Sequence, residues 1–259
     1  MSEIQYTLNG RTVVADPGET VLSVARRMGI DIPALCHHDA VAPYGACRLC
    51  VVEAFWGKRS RLVTSCIYMA WPDERIETNS DRVRRTRKMI LELLLARCPD
   101  AEPIRRLAQE YGAAEPRFPT ADKTEFEKRC ILCGLCVRVC AEAVGQHAIG
   151  YSGRGVERSV TTPFGGQADE CIGCGACVFV CPTQALHYED IGSERVMTEL
   201  NTRVPMVACA SCGEFFASRS QVETVREKLK LPDELARVCP RCRGTRFREQ
   251  FEKCLISPL

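Results

Sequence analysis

The chain opens with two short segments in which apolar and polar residues alternate. These segments, IQYTLNG and RTVVAD, meet at Asn9-Gly10, a pair that tolerates positive φ and is a strong hairpin signal. After Pro17-Gly18, the segment ETVLSVARRMG has apolar residues at helical spacing and ends at Gly29, where a left-handed helix end is least strained. The pattern predicts a hairpin followed by a helix, as in a β-grasp.

The next apolar segments predict more strands and then a long helix. CVVEAFW and RSRLVTSC have strand character, and Ser80-Asp81 can cap a helix over DRVRRTRKMILELLLARC. The first half of this helix is basic, and a charge run on a helix is usually a solvated face, with docking of an acidic partner as the alternative. The basic residues are Arg82, Arg84, Arg85, Arg87 and Lys88.

The second half of the chain contains an internal repeat and a separate cysteine-containing end. Two cysteine runs of identical spacing lie within 130–140 and 171–181, and two further CxxC pairs flank a helical segment that Pro232 interrupts. We therefore predict an α+β protein of four modules. They are a β-grasp (1–79), a helical connector (80–125), a double ferredoxin module (126–200) and a metal ribbon of zinc-ribbon or rubredoxin type (201–259).

Composition favours metal-bound thiolates over disulfides. The chain has 259 residues and 18 cysteines, and its N-terminus lacks the pattern of a secretory signal. The longest apolar run, from Met89 to Ala96, is short and contains Glu92. We therefore expect a cytoplasmic protein without a transmembrane segment. The net charge of +2 is too small to indicate nucleic acid or membrane binding.

The repeated run has the spacing of a bacterial two-cluster ferredoxin. Each copy reads C-x2-C-x2-C-x3-C, with Pro182 after the second and Ala141 after the first. In such ferredoxins the fourth cysteine of each run binds the other 4Fe-4S cluster. The predicted first set is Cys130, Cys133, Cys136 and Cys181, and the second is Cys171, Cys174, Cys177 and Cys140. Zinc sites or disulfides are the alternatives.

A third cysteine set lies in the predicted β-grasp. It reads C-x10-C-x2-C-x15-C, a plant-type 2Fe-2S pattern with a longer first loop, and consists of Cys36, Cys47, Cys50 and Cys66. The alternative is a four-cysteine zinc site that recruits His37 or His38. We expect these histidines instead to hydrogen-bond or cover the cluster.

The last cysteine set predicts a tetrahedral metal site, formed by Cys209, Cys212, Cys239 and Cys242. Zinc suits a structural role because it is redox-silent, while rubredoxin-like iron and a further iron–sulfur cluster remain alternatives. Nearby arginines raise the possibility of nucleic-acid binding, which nearby acidic residues make less favourable. The arginines are Arg241, Arg243 and Arg246, and the acidic residues are Glu214, Glu223 and Glu227. We expect Cys254 to be spare.

Several runs resemble the N-terminal part of the large iron–sulfur subunit of complex I. Electron-transfer modules of bidirectional NiFe and FeFe hydrogenases and of NAD-linked formate dehydrogenases are similar. The matching runs, over about residues 1 to 190, are PALCHHDAVAPYGACRLCVVE, RKMILELLLA, CILCGLCVRVC, HAIGYSGRG, TTPFG and CIGCGACVFVCPTQAL. In this family a histidine and three cysteines bind an additional 4Fe-4S cluster. Here Cys98 replaces the histidine and no cysteine follows before Cys130, so we predict that this cluster is missing and that Cys98 is structural.

The chain offers no evident substrate site of its own. GYSGRG does not have the G-x-G-x-x-G order, and neither a P-loop nor HExxH is present. The resemblance therefore implies an electron-transfer subunit. It would relay single electrons between an NAD(P)H/flavin subunit and a hydrogenase, formate dehydrogenase or electron-bifurcating subunit. The alternatives are an iron–sulfur redox sensor, and a dehydrogenase that binds flavin or substrate unaided.

Overall fold

A computed structural model describes residues 3–113, 117–120, 123–245 and 247. The chain divides into two units, of which the first comprises Met1–Ala143 and Cys177–Leu186 and the second Val144–Ala176 and His187–Leu259. Helices and mainly antiparallel sheets are both present, in agreement with the predicted α+β class.

The first unit contains a five-stranded sheet. Its strands are β1 (Ile4–Leu8), β2 (Arg11–Ala15), β3 (Val51–Trp56), β4 (Arg59–Thr64) and β5 (Arg75–Glu77), in the order β2-β1-β5-β3-β4. β1 pairs in parallel with β5, and the other pairings are antiparallel. The hairpin at Asn9-Gly10 is confirmed, with φ values of 48° and 75° at these two residues.

Helix α1 (Val21–Arg27) packs on this sheet. Thr20 caps the helix by accepting a hydrogen bond from the Ser23 N–H group. The core between helix and sheet is apolar and includes Leu8, Leu22 and Ile76, all fully buried. Cys50 and Cys66 belong to the same buried cluster, so two of the predicted ligands lie in the core rather than on a flexible loop.

Helix α2 (Asp81–Arg97) begins at the predicted cap, Ser80, and helix α3 (Glu102–Glu110) follows it. The predicted solvated face is wrong for Arg87, whose exposed fraction is only 2%. Arg87 is buried because it falls at the four-residue spacing of Val83, Leu91 and Leu95, the buried stripe of α2. The remaining basic residues of the run are exposed.

A short helix begins after the second cysteine of each repeated run. Helix α4 (Leu135–Arg138) continues into a π-helical turn, Val139–Val144, and helix α5 (Ala176–Phe179) is its counterpart in the second run. Gly134 precedes α4 with φ of 75°, a conformation that favours glycine.

The second unit contains a hairpin and a four-stranded sheet. β6 (Gly150–Ser152) pairs with β7 (Ser159–Thr161). The sheet has the order β11-β10-β9-β8 and is antiparallel, with β8 (Glu189–Ile191), β9 (Glu194–Met197), β10 (Thr202–Ala208) and β11 (Phe215–Ser218). The predicted module boundary at residue 200 falls between β9 and β10, which are hydrogen-bonded neighbours.

Two helices follow this sheet, α6 (Arg219–Leu229) and α7 (Asp233–Ala236), with Pro232 between them as the sequence suggested. Residues 240–245 are also helical. Within the described ranges, no helix has the length and apolar character needed to cross a membrane.

Candidate metal centres

The four cysteines of the predicted 2Fe-2S set are all buried. The Cys47 N–H group donates to the Cys36 sulfur at 3.3 Å. Hydrogen bonds from the Cys47 and Cys66 thiols hold the pKa of Cys36 far below its usual range, and a bond from Cys66 lowers the pKa of Cys50. The four sulfurs therefore form one connected group, a donor set that suits a thiolate-bound iron centre.

The two histidines next to Cys36 have partners other than a metal. His37 Nδ1 lies 3.2 Å from the Arg26 guanidinium, and His38 Nδ1 accepts a hydrogen bond from the Ala40 N–H group at 3.2 Å. Burial, together with Arg26, lowers the pKa of His37. Both histidines thus make hydrogen bonds beside the cysteine loop, and their covering of the cluster stays a prediction.

Arg87 supports the cysteine loop from helix α2, a role that the sequence analysis missed. Its Nε donates to the Leu49 carbonyl at 3.0 Å, its Nη2 to the Val51 carbonyl at 2.8 Å and its Nη1 to the Tyr111 hydroxyl at 2.9 Å. Leu49 and Val51 flank Cys50. The four-residue spacing of Arg87 from Val83 and Leu91 was the only sequence signal for this role.

All four cysteines of the predicted first 4Fe-4S set lie within the first unit, and their grouping around one cluster stays a prediction. Burial raises the pKa of Cys133 to about 12, and the negative charges of Cys181, Cys130 and Cys36 raise it as well. Burial and neighbouring sulfurs likewise hold the pKa of Cys136 well above its usual value. Cys181 thus lies near the run at 130–136, although more than 40 residues separate them, and its sulfur accepts a hydrogen bond from the Ala185 N–H group at 3.2 Å.

The predicted second set is divided between the units. Cys140 and Cys177 belong to the first, and Cys171 and Cys174 to the second. Within the second unit, the Gly173 N–H group donates to the Cys171 sulfur at 3.4 Å. An N–H to sulfur bond of this kind fits a thiolate that carries negative charge. The grouping of all four cysteines stays a prediction.

The Cys171–Cys174 loop is held tightly against the four-stranded sheet. A Cβ atom on Gly173, whose φ is 62°, would lie 2.4 Å from Val204 Cγ2. Arg195 is 7% exposed and donates to the Gly173 carbonyl at 2.8 Å while pairing with both carboxylate oxygens of Asp190 at 2.7 and 2.9 Å. Position 173 therefore requires glycine, because the backbone of the cysteine loop approaches the sheet too closely there for a Cβ atom.

The C-terminal cysteines form a compact sulfur group. The sulfurs of Cys209, Cys212, Cys239 and Cys242 all lie within 4.8 Å of one another, and those of Cys212 and Cys239 are 4.0 Å apart. In a four-thiolate zinc site with Zn–S bonds of 2.3 Å, sulfurs are roughly 3.8 Å apart. The donor set thus fits a tetrahedral metal ion.

Backbone N–H groups point at these sulfurs. Cys239 and Ser211 donate to the Cys209 sulfur at 3.3 and 3.4 Å, and Cys242 donates to the Cys239 sulfur at 3.4 Å. The bond from Cys239 contributes most to lowering the pKa of Cys209 to about 6, which favours the thiolate that binds metal. Arg246 and Cys254, both named in the sequence analysis, lie outside the described residues.

Cys98, which replaces the histidine ligand of the resembling family, is fully buried. Its thiol donates to the Leu94 carbonyl at 2.9 Å, and burial raises its pKa to about 12. A protonated thiol that is bonded to its own helix suits a structural role. The absence of the additional cluster remains a prediction.

Two protein-family models match the chain. A model described as a 2Fe-2S iron-sulfur cluster binding domain matches residues 1–81, and one described as a 4Fe-4S dicluster domain matches residues 129–185. The matches contain the first twelve predicted ligands, since the C-terminal four lie beyond residue 185. The chain therefore contains a 2Fe-2S domain and a 4Fe-4S domain.

Curated relatives match much of this chain but only a part of their own length. An NADH-quinone oxidoreductase subunit of Rhizobium meliloti is 31% identical in an alignment of 252 residues, and the match covers 85% of this chain and 29% of that protein. The NADH-ubiquinone oxidoreductase 78 kDa subunit of Candida albicans is 28% identical and the 75 kDa subunit of Reclinomonas americana 30% identical. They match 62% and 61% of this chain. The chain spans about a quarter of these two relatives.

A solved structure of an NAD+-reducing [NiFe]-hydrogenase in the H2-reduced state is also similar. The TM-score is 0.56 at 27% identity, over 75% of this chain and 87% of the hydrogenase chain. The resemblance predicted from the cysteine motifs is therefore confirmed. The chain is an iron–sulfur protein similar to these NADH-quinone and NADH-ubiquinone oxidoreductase subunits and to the NAD+-reducing [NiFe]-hydrogenase.

Proposed function

We propose that this chain relays single electrons within a multi-subunit, NAD(P)H-linked oxidoreductase. The observation that carries the proposal is the placement of two sulfur groups in one unit, where Arg138 of the first ferredoxin run donates a hydrogen bond to the Cys36 carbonyl at 3.1 Å. Because Arg138 is only two residues from Cys136, this contact makes the two cysteine groups neighbours. Such proximity suits conduction, whereas one labile cluster is enough for a sensor.

The proposed cofactors are one 2Fe-2S cluster and two 4Fe-4S clusters. When bound, such clusters accept and release one electron at a time, at potentials set by hydrogen bonds to sulfur, net charge and burial. The proposed ligands of the 2Fe-2S cluster are Cys36, Cys47, Cys50 and Cys66. Those of the two 4Fe-4S clusters are Cys130, Cys133, Cys136 and Cys181, and Cys171, Cys174, Cys177 and Cys140. Supporting observations are the connected buried sulfurs and the N–H donors from Cys47, Gly173 and Ala185.

We assign a structural zinc ion to the C-terminal cysteines. Four sulfurs within 4.8 Å of one another and three N–H donors favour a small ion bound by thiolates. A ribbon-like module would then close on the ion, with β10 leading into Cys209 and α7 preceding Cys239. Its proposed role is to hold a partner-facing surface in shape rather than to carry electrons.

We further propose that the N-terminal module is a β-grasp, because one helix packs on a five-stranded sheet whose first strand pairs in parallel with the last. The partners would be a flavin-containing, NAD(P)H-binding subunit and a catalytic subunit of the hydrogenase, formate dehydrogenase or bifurcating type. The names of the relatives, an NADH-quinone oxidoreductase and an NAD+-reducing hydrogenase, support this assignment.

Anaerobic purification of the native complex tests the proposal. This subunit should contain about ten irons, with matching acid-labile sulfide, and one zinc per chain. NADH should reduce its paramagnetic centres only when the flavin subunit is present. Colourless material without acid-labile sulfide would overturn the proposal, and binding that depends on oxidation state without sustained electron flux would indicate a sensor.

A further inference from the structure

Two side chains, one in the first ferredoxin run and one just after it, hydrogen-bond to the backbone of Ala42. This residue lies in the loop between Cys36 and Cys47. Arg138 donates from Nη1 to the Ala42 carbonyl, and Glu142 accepts a hydrogen bond from the Ala42 N–H group at 2.8 Å. About 100 residues separate the partners in sequence. Both backbone groups of Ala42 are therefore satisfied by oppositely charged side chains four residues apart.

Arg138 also reaches a proposed ligand of the 2Fe-2S cluster. Its Nη2 donates to the Cys36 carbonyl at 3.1 Å, and its guanidinium lies over the Tyr44 ring at 5.2 Å from the centroid. Its Nε is buried without a hydrogen-bond partner in the part of the chain that is described. The positive charge is thus partly removed from water, where its effect on neighbouring charges is stronger.

Arg138 and Glu142 lie four residues apart in a continuous helical segment, so both side chains can reach Ala42. Arg138 is the last residue of α4, two positions after Cys136, and Glu142 lies in the π-helical turn that follows. Both residues belong to the same unit as the loop. The side chains that contact the 2Fe-2S loop are therefore fixed to the segment that supplies ligands of the 4Fe-4S module.

A fixed charge beside a redox centre biases its reduction, because the added electron is attracted by a cation and repelled by an anion. Arg138 is half-buried, whereas Glu142 is exposed and its charge is better screened. We infer that Arg138 and Glu142 are positioning residues that hold the 36–44 loop against the first ferredoxin run. They also adjust the reduction potential of the 2Fe-2S cluster in opposite directions. This inference rests on the proposed 2Fe-2S assignment.

The test is a potentiometric titration of the full chain, loaded with its clusters, in which the 2Fe-2S signal is followed by electron paramagnetic resonance. In Arg138→Gln the equilibrium constant for reduction should fall about tenfold, a shift of about 59 mV to more negative potential. In Glu142→Gln it should rise about threefold, since the amide oxygen still accepts the Ala42 N–H bond while the charge is gone. Arg138→Lys keeps the charge and should stay near the native potential.

Arg105→Gln is the matched control, because it removes an equal charge from the exposed surface of α3. It should leave the potential unchanged. Opposite shifts in Arg138→Gln and Glu142→Gln support the inference, whereas mere loosening of the loop would move both in one direction. If the native signal is present but neither variant shifts more than Arg105→Gln, the inference is wrong. If Arg138→Gln does not bind its clusters, the other two variants test the inference. A shift to more positive potential in Glu142→Gln with a native potential in Arg138→Lys supports it, and an unchanged potential in Glu142→Gln contradicts it. Absence of any 2Fe-2S signal in the native chain would instead overturn the proposed function.

Discussion

Arg87 on helix α2 donates from Nη2 to the carbonyl oxygen of Val51 at 2.8 Å. Val51 directly follows Cys50, and a second bond from Arg87 reaches Leu49 on the other side of that cysteine. A helix outside the sheet thereby fixes the backbone on both sides of a proposed cluster ligand. Because Arg87 is 2% exposed, water cannot readily replace these bonds.

Replacing Arg87 with Met should therefore destabilise the first unit. Two backbone carbonyls would lose buried, charge-assisted bonds, and we expect the free energy of unfolding to fall by about 3 kcal/mol. Urea unfolding followed by loss of the visible iron–sulfur absorbance measures this change. Arg85→Met, at an exposed position of the same helix, should change the free energy by no more than about 0.5 kcal/mol. Equal effects of the two substitutions would contradict the role assigned to Arg87.

Gly173→Ala should impair the second 4Fe-4S site. The new methyl group would meet Val204 Cγ2 at 2.4 Å, so the loop that carries Cys171 and Cys174 must move. We expect the iron content to fall by about four atoms per chain. Gly192→Ala is a close control, because Gly192 has φ of 60° and no atom within 4 Å of the added Cβ. It should cost about 1 kcal/mol in backbone strain and retain the full iron content. Full iron in Gly173→Ala would show that the close approach is unimportant.

Glu53 should make stability depend on pH in the acid range. The Ser80 hydroxyl, 2.6 Å from one carboxylate oxygen, is the main cause of the lowered pKa of Glu53, with Ser60 and Arg82 adding to it. A lowered pKa in the folded state stabilises the fold above the unfolded value of about 4.3, and this stabilisation is lost as pH falls through the folded value.

In Glu53→Gln this part of the pH dependence should disappear. The urea midpoints of native and variant chains should differ most above pH 5 and converge as the pH falls below about 4. The difference between the two proteins is the quantity to measure, because acid lability of the clusters is common to both. Glu110→Gln, on an exposed part of α3, serves as the control. A difference that is constant from pH 6 to pH 3 would contradict this prediction.

Cys98→Ala should leave the number of irons unchanged. Cys98 is bonded to Leu94 through its thiol and its pKa is raised, so we expect about ten irons per chain with or without it. Only a modest loss of stability, about 1 kcal/mol for the small buried group, should follow. Iron analysis and the paramagnetic spectrum check both points. If Cys98→Ala loses about four irons, Cys98 is a ligand of the family's additional 4Fe-4S cluster, and the prediction that this cluster is missing is wrong.

The sequence by itself determined the cluster chemistry and part of the fold. Cluster ligands can be recognised from the spacing of the cysteines, because ligands of one cluster bind neighbouring corners of a small core. The 2Fe-2S and 4Fe-4S domains were predicted in this way and are confirmed. The hairpin at Asn9-Gly10 and the helix cap at Ser80 could also be predicted from the sequence, because each depends on contacts within a few residues.

Only the tertiary structure decided which distant groups meet. It turned Arg87 into the core, and set Arg138 and Glu142 on the loop that contains Ala42. It also joined β9 to β10 across the predicted module boundary. These relationships come from the packing of segments far apart in the chain, which residue spacing does not encode. In the sequence, Arg87 cannot be distinguished by its charge from the other basic residues of its run, and only its burial in the folded chain sets it apart.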